Sequence, residues 1–210
     1  MKVGDEQNFV YLLVNEPSSE AIAIDSGWEI DPIASVVRSE KLDLKYAVAT
    51  HHHSDHASTL WQLSRMFEAK VVAYKGSPIP CDLAVDDGDT LRIGEKEVEI
   101  LHTPGHTEDS ICLYDGKHLF TGDTLLIGNC GRTDFAEGSP RQMYRSLHMV
   151  ILKLPPETMI YPGHDCGEVP FRELSVEARL NPALLARSYE EFRLLFRKKA
   201  MSRRPPETNG

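Results

Sequence analysis

The stretch Thr50-His-His-His-Ser-Asp-His56 decides the fold and most of the chemistry of this chain. Imidazole nitrogens and carboxylate oxygens are the protein ligands of zinc, iron and manganese. His51, His53 and Asp55 alternate, so in an extended stretch their side chains would share one side. His56 breaks the alternation and predicts a turn. The stretch therefore predicts half of a metal site followed by a change of direction.

Three later loops each follow a short strand-like run, are rich in glycine or proline, and carry one further ligand. In order they carry His106, Asp123 and His164. Loops at one edge of a rigid sheet can bring distant residues together around an ion. Histidines scattered by chance over the surface would not repeat this context. The candidate metal-binding residues are His51, His53, Asp55, His56, His106, Asp123 and His164.

Length and composition predict one folded domain. The chain has 210 residues, of which 41% are hydrophobic and 26% are charged, enough apolar material for a substantial core. We expect a single domain over residues 1–200 and a disordered polar tail over residues 201–210. The formal net charge of −9 argues against a broad nucleic-acid surface, so we expect no nucleic acid as a partner.

Further features of the sequence bear on cellular location. No run of about 18 apolar residues is present, so no membrane segment is expected. Residues 1–6 lack the apolar core of a secretory signal peptide. The 4 cysteines include no CxxC pair, which is typical of a reduced protein. These features predict a cytoplasmic protein without a membrane partner, and they leave a homodimer open.

The order of strand-like and helix-like segments predicts two packed sheets with helices outside, an α/β (α+β) fold. An opening hairpin is predicted over residues 9–25. Asp31 and Pro32 predict a helix through Ser39, with Asp31 as its cap and Pro32 at its first position. Further helices are predicted over residues 58–68, 141–154, 175–180 and 188–199.

The His-x-His-x-Asp-His run at 51–56, followed by TPGHT, TGDT and a late Gly-His, resembles the metallo-β-lactamase superfamily. The resemblance extends from about residue 8 to residue 184. It implies an αββα sandwich of two mixed sheets flanked by helices, with the metal site at the sheet edge. A β-lactamase itself is a weaker match, because the chain shows no secretory signal.

Two branches of that superfamily resemble different parts of the chain. The segment 50–56 resembles glyoxalase II, whereas the segments 121–127, 130–135, 161–165 and 177–182 resemble the persulfide dioxygenases. The longer signals, Gly131-Arg-Thr-Asp-Phe135 and His164-Asp165, favour the second branch. They imply oxidation of a low-molecular-weight thiol persulfide to thiol and sulfite. A glyoxalase II-like (hydroxyacylglutathione hydrolase-like) thioester hydrolase is the alternative, and a non-catalytic metal-binding protein is a remote one.

The two branches imply different cofactors. The dioxygenase branch implies one Fe(II) held by His51, His106 and Asp123, which leaves positions for dioxygen and a thiolate. The other four candidates would then orient ligands or water. The hydrolase branch implies one or two Zn(II) ions, bridged by Asp123 when there are two, with a bound water attacking a thioester. Asp55 and Arg132 are the predicted catalytic side chains.

Substrate contacts are predicted from departures from the persulfide dioxygenase pattern. Cys166 stands where those enzymes commonly have a tyrosine that helps to hold glutathione. Ala178 stands where they usually have a basic residue, and Arg179 follows one position later. We therefore expect Arg132, Cys166 and Arg179 to contact the substrate. We also expect a persulfide carrier other than glutathione, such as coenzyme A or cysteine.

Overall fold

The computed structural model describes residues 1–4, 7–134 and 136–202, with side chains described up to residue 195. At its start, β1 (Lys2–Val3) and β2 (Asn8–Phe9) pair antiparallel. Asn8 also forms an isolated β-bridge with His164. This bridge brings the amino-terminal segment next to one of the candidate ligands.

The first of two larger sheets contains five strands. They are β3 (Tyr11–Asn15), β4 (Glu20–Ile24), β5 (Asp43–Val48), β6 (Lys70–Tyr74) and β7 (Leu83–Val85), in that spatial order. β3 and β4 form the predicted hairpin, and β4 to β7 run parallel. Successive apolar residues are buried along β4, β5 and β6, as expected for parallel strands covered on both faces.

The second sheet contains six strands in the order β13–β12–β11–β10–β9–β8, whose bounds follow. They are β8 (Thr90–Ile93), β9 (Lys96–His102), β10 (Ile111–Tyr114), β11 (His118–Gly122), β12 (Met159–Pro162) and β13 (Arg172–Glu173). Only β11 and β12 pair in parallel. Both sheets are therefore mixed, as predicted.

Helices cover the outer faces of both sheets. Three lie early in the chain: α1 (Asp31–Ser39), α2 (Ser54–Ala57) and α3 (Leu60–Phe67). Four follow: α4 (Pro140–Arg145), α5 (Leu174–Leu180), α6 (Pro182–Leu185) and α7 (Tyr189–Ser202). After α4 the chain continues as a π-helical turn, Ser146–Val150, and a 3-10 turn, Ile151–Lys153. Within the described residues, no helix has the length and apolar composition needed to cross a membrane.

Three apolar layers hold the sandwich together. The central layer lies between the sheets and includes Ile22, Val48 and Ile100. One outer layer packs α1 and α3 on the first sheet, and the other packs the later helices on the second sheet. Fully burying one such large side chain stabilises the fold by about 1.5–3 kcal/mol. The predicted αββα sandwich is confirmed, and its two rigid sheets fix the loops at their edge.

Three local predictions need correction, and a fourth lies mostly outside the described residues. Ile30 rather than Asp31 occupies the cap of α1, so Asp31 acts through its charge in the first turn. The helix predicted over 58–68 is shorter, and the additional helix α2 precedes it. Asp55 lies in α2, so it does not continue an extended alternation. The tail predicted over 201–210 stays a prediction, because α7 includes residues 201–202 and residues 203–210 lie outside the described residues.

Candidate metal centre

The seven candidate ligands lie in the segments that follow β5, β9, β11 and β12, with Asp55 and His56 in the short helix α2. These segments meet at one edge of the sandwich, where the ligand side chains converge in two groups and one bridging carboxylate. The sequence prediction that these residues come together agrees with this arrangement. The grouping itself could not be read from the sequence.

The first group consists of three imidazoles. His53 Nδ1 lies 3.1 Å from His51 Nε2 and 3.0 Å from His106 Nε2. Three such nitrogens could hold one ion. Burial lowers the pKa of all three side chains, that of His51 most strongly. They are therefore neutral near pH 7, which is the form of histidine that binds metals.

The second group consists of Asp55, His56 and His164. His56 Nε2 lies 3.2 Å from both Asp55 Oδ2 and His164 Nε2, and His164 Nε2 lies 3.4 Å from Asp55 Oδ2. Burial opposes charge on His56, but Asp25, Asp55 and Asp123 raise its pKa to about 10. Burial also opposes ionisation of Asp55, yet hydrogen bonds from the two histidines hold its pKa well below the usual range. The surrounding carboxylates thus stabilise the positively charged form of His56.

Asp123 lies between the two groups. Its Oδ2 is 3.5 Å from His106 Nε2, and its Oδ1 is 3.4 Å from His164 Nε2. Oδ1 is buried and has no hydrogen-bond partner among the described residues. A buried carboxylate oxygen without a donor is expected to bind a cation. The imidazole and carboxylate donors around this oxygen fit a transition-metal ion, and their number fits one ion or two.

Glycines allow the loops to approach one another this closely. A Cβ at Gly122, where φ is +46°, would lie 2.3 Å from Thr50 Oγ1. A Cβ at Gly131 would lie 2.0 Å from the carbonyl oxygen of Asp123 and 3.0 Å from His106 Nδ1. Neither position accepts a side chain without displacing a ligand loop.

Asp25, at the end of β4, fixes the orientation of two ligands and was missed by the sequence reasoning. Its Oδ1 accepts a hydrogen bond from Thr50 N at 2.7 Å, and its Oδ2 accepts from Thr50 Oγ1 at 2.8 Å and His56 Nδ1 at 2.9 Å. Because the Thr50 hydroxyl donates to Asp25, it accepts from His51 Nδ1 at 3.1 Å. Both histidines therefore present Nε2 to the centre.

Asn8 fixes Asp55 and was also missed. Its Nδ2 donates to Asp55 Oδ2 at 2.9 Å and to the Asp55 carbonyl at 3.2 Å. Asn8 is 3% exposed, so this side chain is part of the wall of the centre. No local pattern marks it, because the β-bridge to His164 places it there.

A further buried aspartate supports the outer rim. Asp109 Oδ1 accepts hydrogen bonds from His52 Nδ1 at 2.8 Å and Thr107 Oγ1 at 2.7 Å, and Asp109 Oδ2 accepts from Ser77 Oγ at 2.6 Å. On its other side, His52 Nε2 lies 3.4 Å from Glu137 Oε1. His52 therefore links the ligand stretch to the loop before α4, a role that the sequence did not reveal.

The three residues predicted to contact the substrate, Arg132, Cys166 and Arg179, have different surroundings in the structure. The Arg132 guanidinium forms an ion pair with Asp134, Nε to Oδ1 at 2.9 Å, and its side chain is 56% exposed. The carbonyl of Arg132 accepts a hydrogen bond from His106 Nδ1 at 2.8 Å, which turns His106 Nε2 to the centre. Cys166 is exposed and lines a cavity together with Leu180. Arg179 is exposed on α5 and is not among the residues that line this cavity.

Fold and centre together define a class of protein. The profile of the metallo-beta-lactamase superfamily matches residues 3–164, and the chain belongs to this superfamily. A probable hydroxyacylglutathione hydrolase of Schizosaccharomyces pombe is 38% identical over 174 residues, 79% of this chain and 66% of that protein. The chain thus spans just under two thirds of that relative.

Two further similarities concern the dioxygenase branch. The human mitochondrial persulfide dioxygenase ETHE1 is 39% identical over 188 residues, 88% of this chain and 74% of that protein. A crystal structure of ETHE1 from Myxococcus xanthus superposes with a TM-score of 0.89 at 34% identity, covering 98% of this chain and 92% of that one. The resemblances read from the sequence, to both branches, are confirmed.

Proposed function

We propose that this enzyme of the metallo-β-lactamase fold is a persulfide dioxygenase. In the reaction, a thiol persulfide, dioxygen and water give the thiol and sulfurous acid, which ionises to sulfite. The observation that carries the proposal is the likeness to ETHE1, which covers 98% of this chain and 92% of that one at a TM-score of 0.89 and so includes α5, α6 and much of α7 beyond the ligands. The substrate contacts predicted from the sequence fall in that region and in the loops before it.

The chain's residues have definite roles in this proposal. His51, His106 and Asp123 hold one Fe(II), which when bound supplies oxidation chemistry with dioxygen and a thiolate. Asp25, through Thr50, and the carbonyl of Arg132 keep the Nε2 lone pairs of the two histidines directed at the ion. Because Asp55 stays ionised at neutral pH, it can accept a hydrogen bond from substrate or water.

Metal retention in variants tests this ligand set. His51→Ala, His106→Ala and Asp123→Ala each remove a metal bond in the proposal, so these proteins should lose nearly all their metal. His53→Ala should keep substantial metal and lose activity, because groups that orient ligands typically contribute about 10–100-fold. Equal metal loss from all four substitutions would contradict a single ion held by three residues.

A two-ion thioester hydrolase is the second candidate, and the geometry of Asp123 favours it. The two oxygens of this carboxylate face the two separate groups of ligands, at 3.5 Å and 3.4 Å from their nearest histidine nitrogens. His53 Nδ1 also lies 3.1 Å from His51 Nε2 and 3.0 Å from His106 Nε2, so three imidazoles could hold the first ion. This candidate predicts two ions per chain and hydrolysis of a glutathione thioester without oxygen uptake.

A further inference from the structure

A cavity of about 630 Å³ lies between continuations of the loops that carry Asp123 and His164, and its volume is typical of small-molecule sites. It is lined by residues 127–128, residues 166–168, Arg172 and Leu180. The first pair continues the loop that carries Asp123, and the second segment continues the loop that carries His164. Two residues of chain span at most about 7 Å, so the Cα atom of Cys166 lies within that distance of the Cα atom of His164.

Arg172 is held rigidly in the wall of this cavity. Its Nη1 donates to Oε1 of Glu177 at 3.0 Å, and the Glu177 side chain is fully buried. Oε2 of Glu177 accepts hydrogen bonds from the backbone of Gly128 and from Asn181 Nδ2, both at 2.9 Å. The guanidinium is therefore oriented before any ligand arrives, which limits the entropy lost on binding.

Glu168 provides the opposite charge at the same wall. Its Oε2 lies 3.4 Å from Arg172 Nη2, and its side chain is 90% exposed. An exposed ion pair of this length contributes little to stability, so a ligand can separate the two side chains at small cost. The lining carries one carboxylate, Glu168, and one guanidinium, Arg172, which is already paired with the buried carboxylate of Glu177 behind it, so the three groups together carry a formal charge of −1.

This charge pattern distinguishes between classes of thiol carrier. A purely anionic head group, such as a phosphate, meets a wall whose net charge is negative. An α-amino-acid head group carries a carboxylate and an ammonium on the same carbon, and it can pair with both charges at once. Guanidinium groups bind carboxylates through two parallel hydrogen bonds, which adds directional selectivity.

We propose that this cavity selects the carrier thiol by its α-amino-acid head group, with Arg172 binding the carboxylate and Glu168 binding the ammonium. The assignment rests on the proposed function, which supplies the reaction of the carrier's sulfur. Binding of the head group can nevertheless be measured without turnover. Cysteine persulfide has such a head group, and so does the γ-glutamyl end of glutathione persulfide. Coenzyme A persulfide has none.

Binding of unreactive thioethers, measured by calorimetry on the protein with and without metal, tests this recognition. The probes are S-methylcysteine, 3-(methylthio)propionate, which lacks the ammonium, and 2-(methylthio)ethylamine, which lacks the carboxylate. Losing the carboxylate should weaken binding about tenfold to hundredfold, because it removes a charge-assisted bond to an ordered guanidinium. Losing the ammonium should weaken binding about two- to fivefold, because Glu168 is exposed.

Two variants and two matched controls assign the contacts. Arg172→Lys should remove most of the preference for the carboxylate, and Glu168→Gln most of the preference for the ammonium. Arg193→Lys changes an arginine that pairs with the exposed Glu190, and Glu157→Gln changes an exposed glutamate outside the cavity lining, so neither should alter binding. Glu168→Gln keeps the test decisive if loss of the buried ion pair prevents Arg172→Lys from folding.

The outcomes separate this inference from the proposed function. Equal binding of the three probes, or variants that behave like their controls, would overturn the inference even if the enzyme consumes oxygen with persulfides. The expected preference without oxygen uptake would support the inference and reject the dioxygenase. S-methylglutathione serves as a fourth probe. Tighter binding than S-methylcysteine, with the same dependence on Arg172 and Glu168, would assign the head group to a γ-glutamyl end, and weaker binding would assign it to free cysteine.

Discussion

Replacing Asp25 with asparagine should reverse the protonation of two candidate ligands, His51 and His56. In the structure Asp25 Oδ2 accepts hydrogen bonds from Thr50 Oγ1 and from His56 Nδ1. The bond from Thr50 N fixes the amide oxygen of the new side chain at the place of Oδ1, so the amide nitrogen occupies the place of Oδ2. It would donate to His56 Nδ1 and to the hydroxyl of Thr50, which would then donate to His51 Nδ1. Both imidazoles would thereby direct a protonated Nε2 at the centre.

The expected loss of metal affinity follows from these bonds. Removing a group that orients one metal ligand typically lowers affinity about 10–100-fold, or about 1.4–2.7 kcal/mol. Asp25→Asn affects the ligand His51 and also His56, whose Nε2 lies 3.7 Å from Oδ1 of the ligand Asp123, so its effect should lie at or above the upper end. Thr50→Val breaks the connection to His51 alone and should lie at the lower end. Asp109→Asn is the matched control, because Asp109 is a buried aspartate that bonds to His52, which is not a candidate ligand.

Chelator competition with elemental analysis measures the affinity, and proton NMR of the metal-free proteins measures the pKa of His56. Apart from burial, which lowers it, Asp25 has the largest influence on this pKa, which lies at about 10. Asp25→Asn should therefore lower it, whereas Asp109→Asn should not. Unchanged metal affinity in Asp25→Asn, together with an unchanged His56 pKa, would refute the orienting role.

Two further predictions concern the loops and the turn between β10 and β11. Gly131→Ala should lower metal affinity about tenfold or more, because the new Cβ would overlap the Asp123 carbonyl. Gly88→Ala is the control and should retain the metal, because a Cβ at Gly88 would have no other atoms within 4 Å. Chelator competition measures the metal affinity of both variants. Burial opposes ionisation of Asp115, but bonds from His118 and Lys96 lower its pKa to about 2. Because this folded-state pKa lies below the ordinary 3.8, ionised Asp115 adds to the free energy of unfolding above pH 4, and this addition is lost as pH falls through 2. Its size is about 1–2 kcal/mol once solvent screening is allowed for. In chemical denaturation, wild type and Asp115→Asn should therefore differ near pH 6 and converge near pH 2, and parallel curves would contradict this.

The parts of the centre that the sequence predicted are those where chemistry restricts the residue type. Histidine and aspartate after strand-like runs are unusual enough to mark the ligands, and apolar strand patterns indicate which edge they share. Asp25 also follows an apolar strand, but its sequence context did not mark it, because a lone aspartate after a strand more often belongs to a turn. In the structure its backbone is left-handed, with a φ of +54°.

Other features depend on contacts between distant parts of the chain. Asn8 reaches Asp55 only because residues 8 and 164 pair across the centre. The sequence predicts that Arg179, one position from the position usually occupied by a basic residue, contacts the substrate, and this stays a prediction. The structure lines the cavity with Arg172, because the buried Glu177 fixes that guanidinium in place. Local sequence cannot report such an ion pair, since both charges look solvent-exposed on their own elements.

The most direct test of the central proposal combines two readouts on one anaerobically prepared sample. Elemental analysis gives the metal content per chain, and an oxygen electrode gives the uptake with cysteine persulfide and with glutathione persulfide. A persulfide dioxygenase should contain iron near one equivalent and show oxygen uptake matched by sulfite release. Two zinc ions per chain, with hydrolysis of a glutathione thioester and no oxygen uptake, would contradict the proposal and establish the hydrolase.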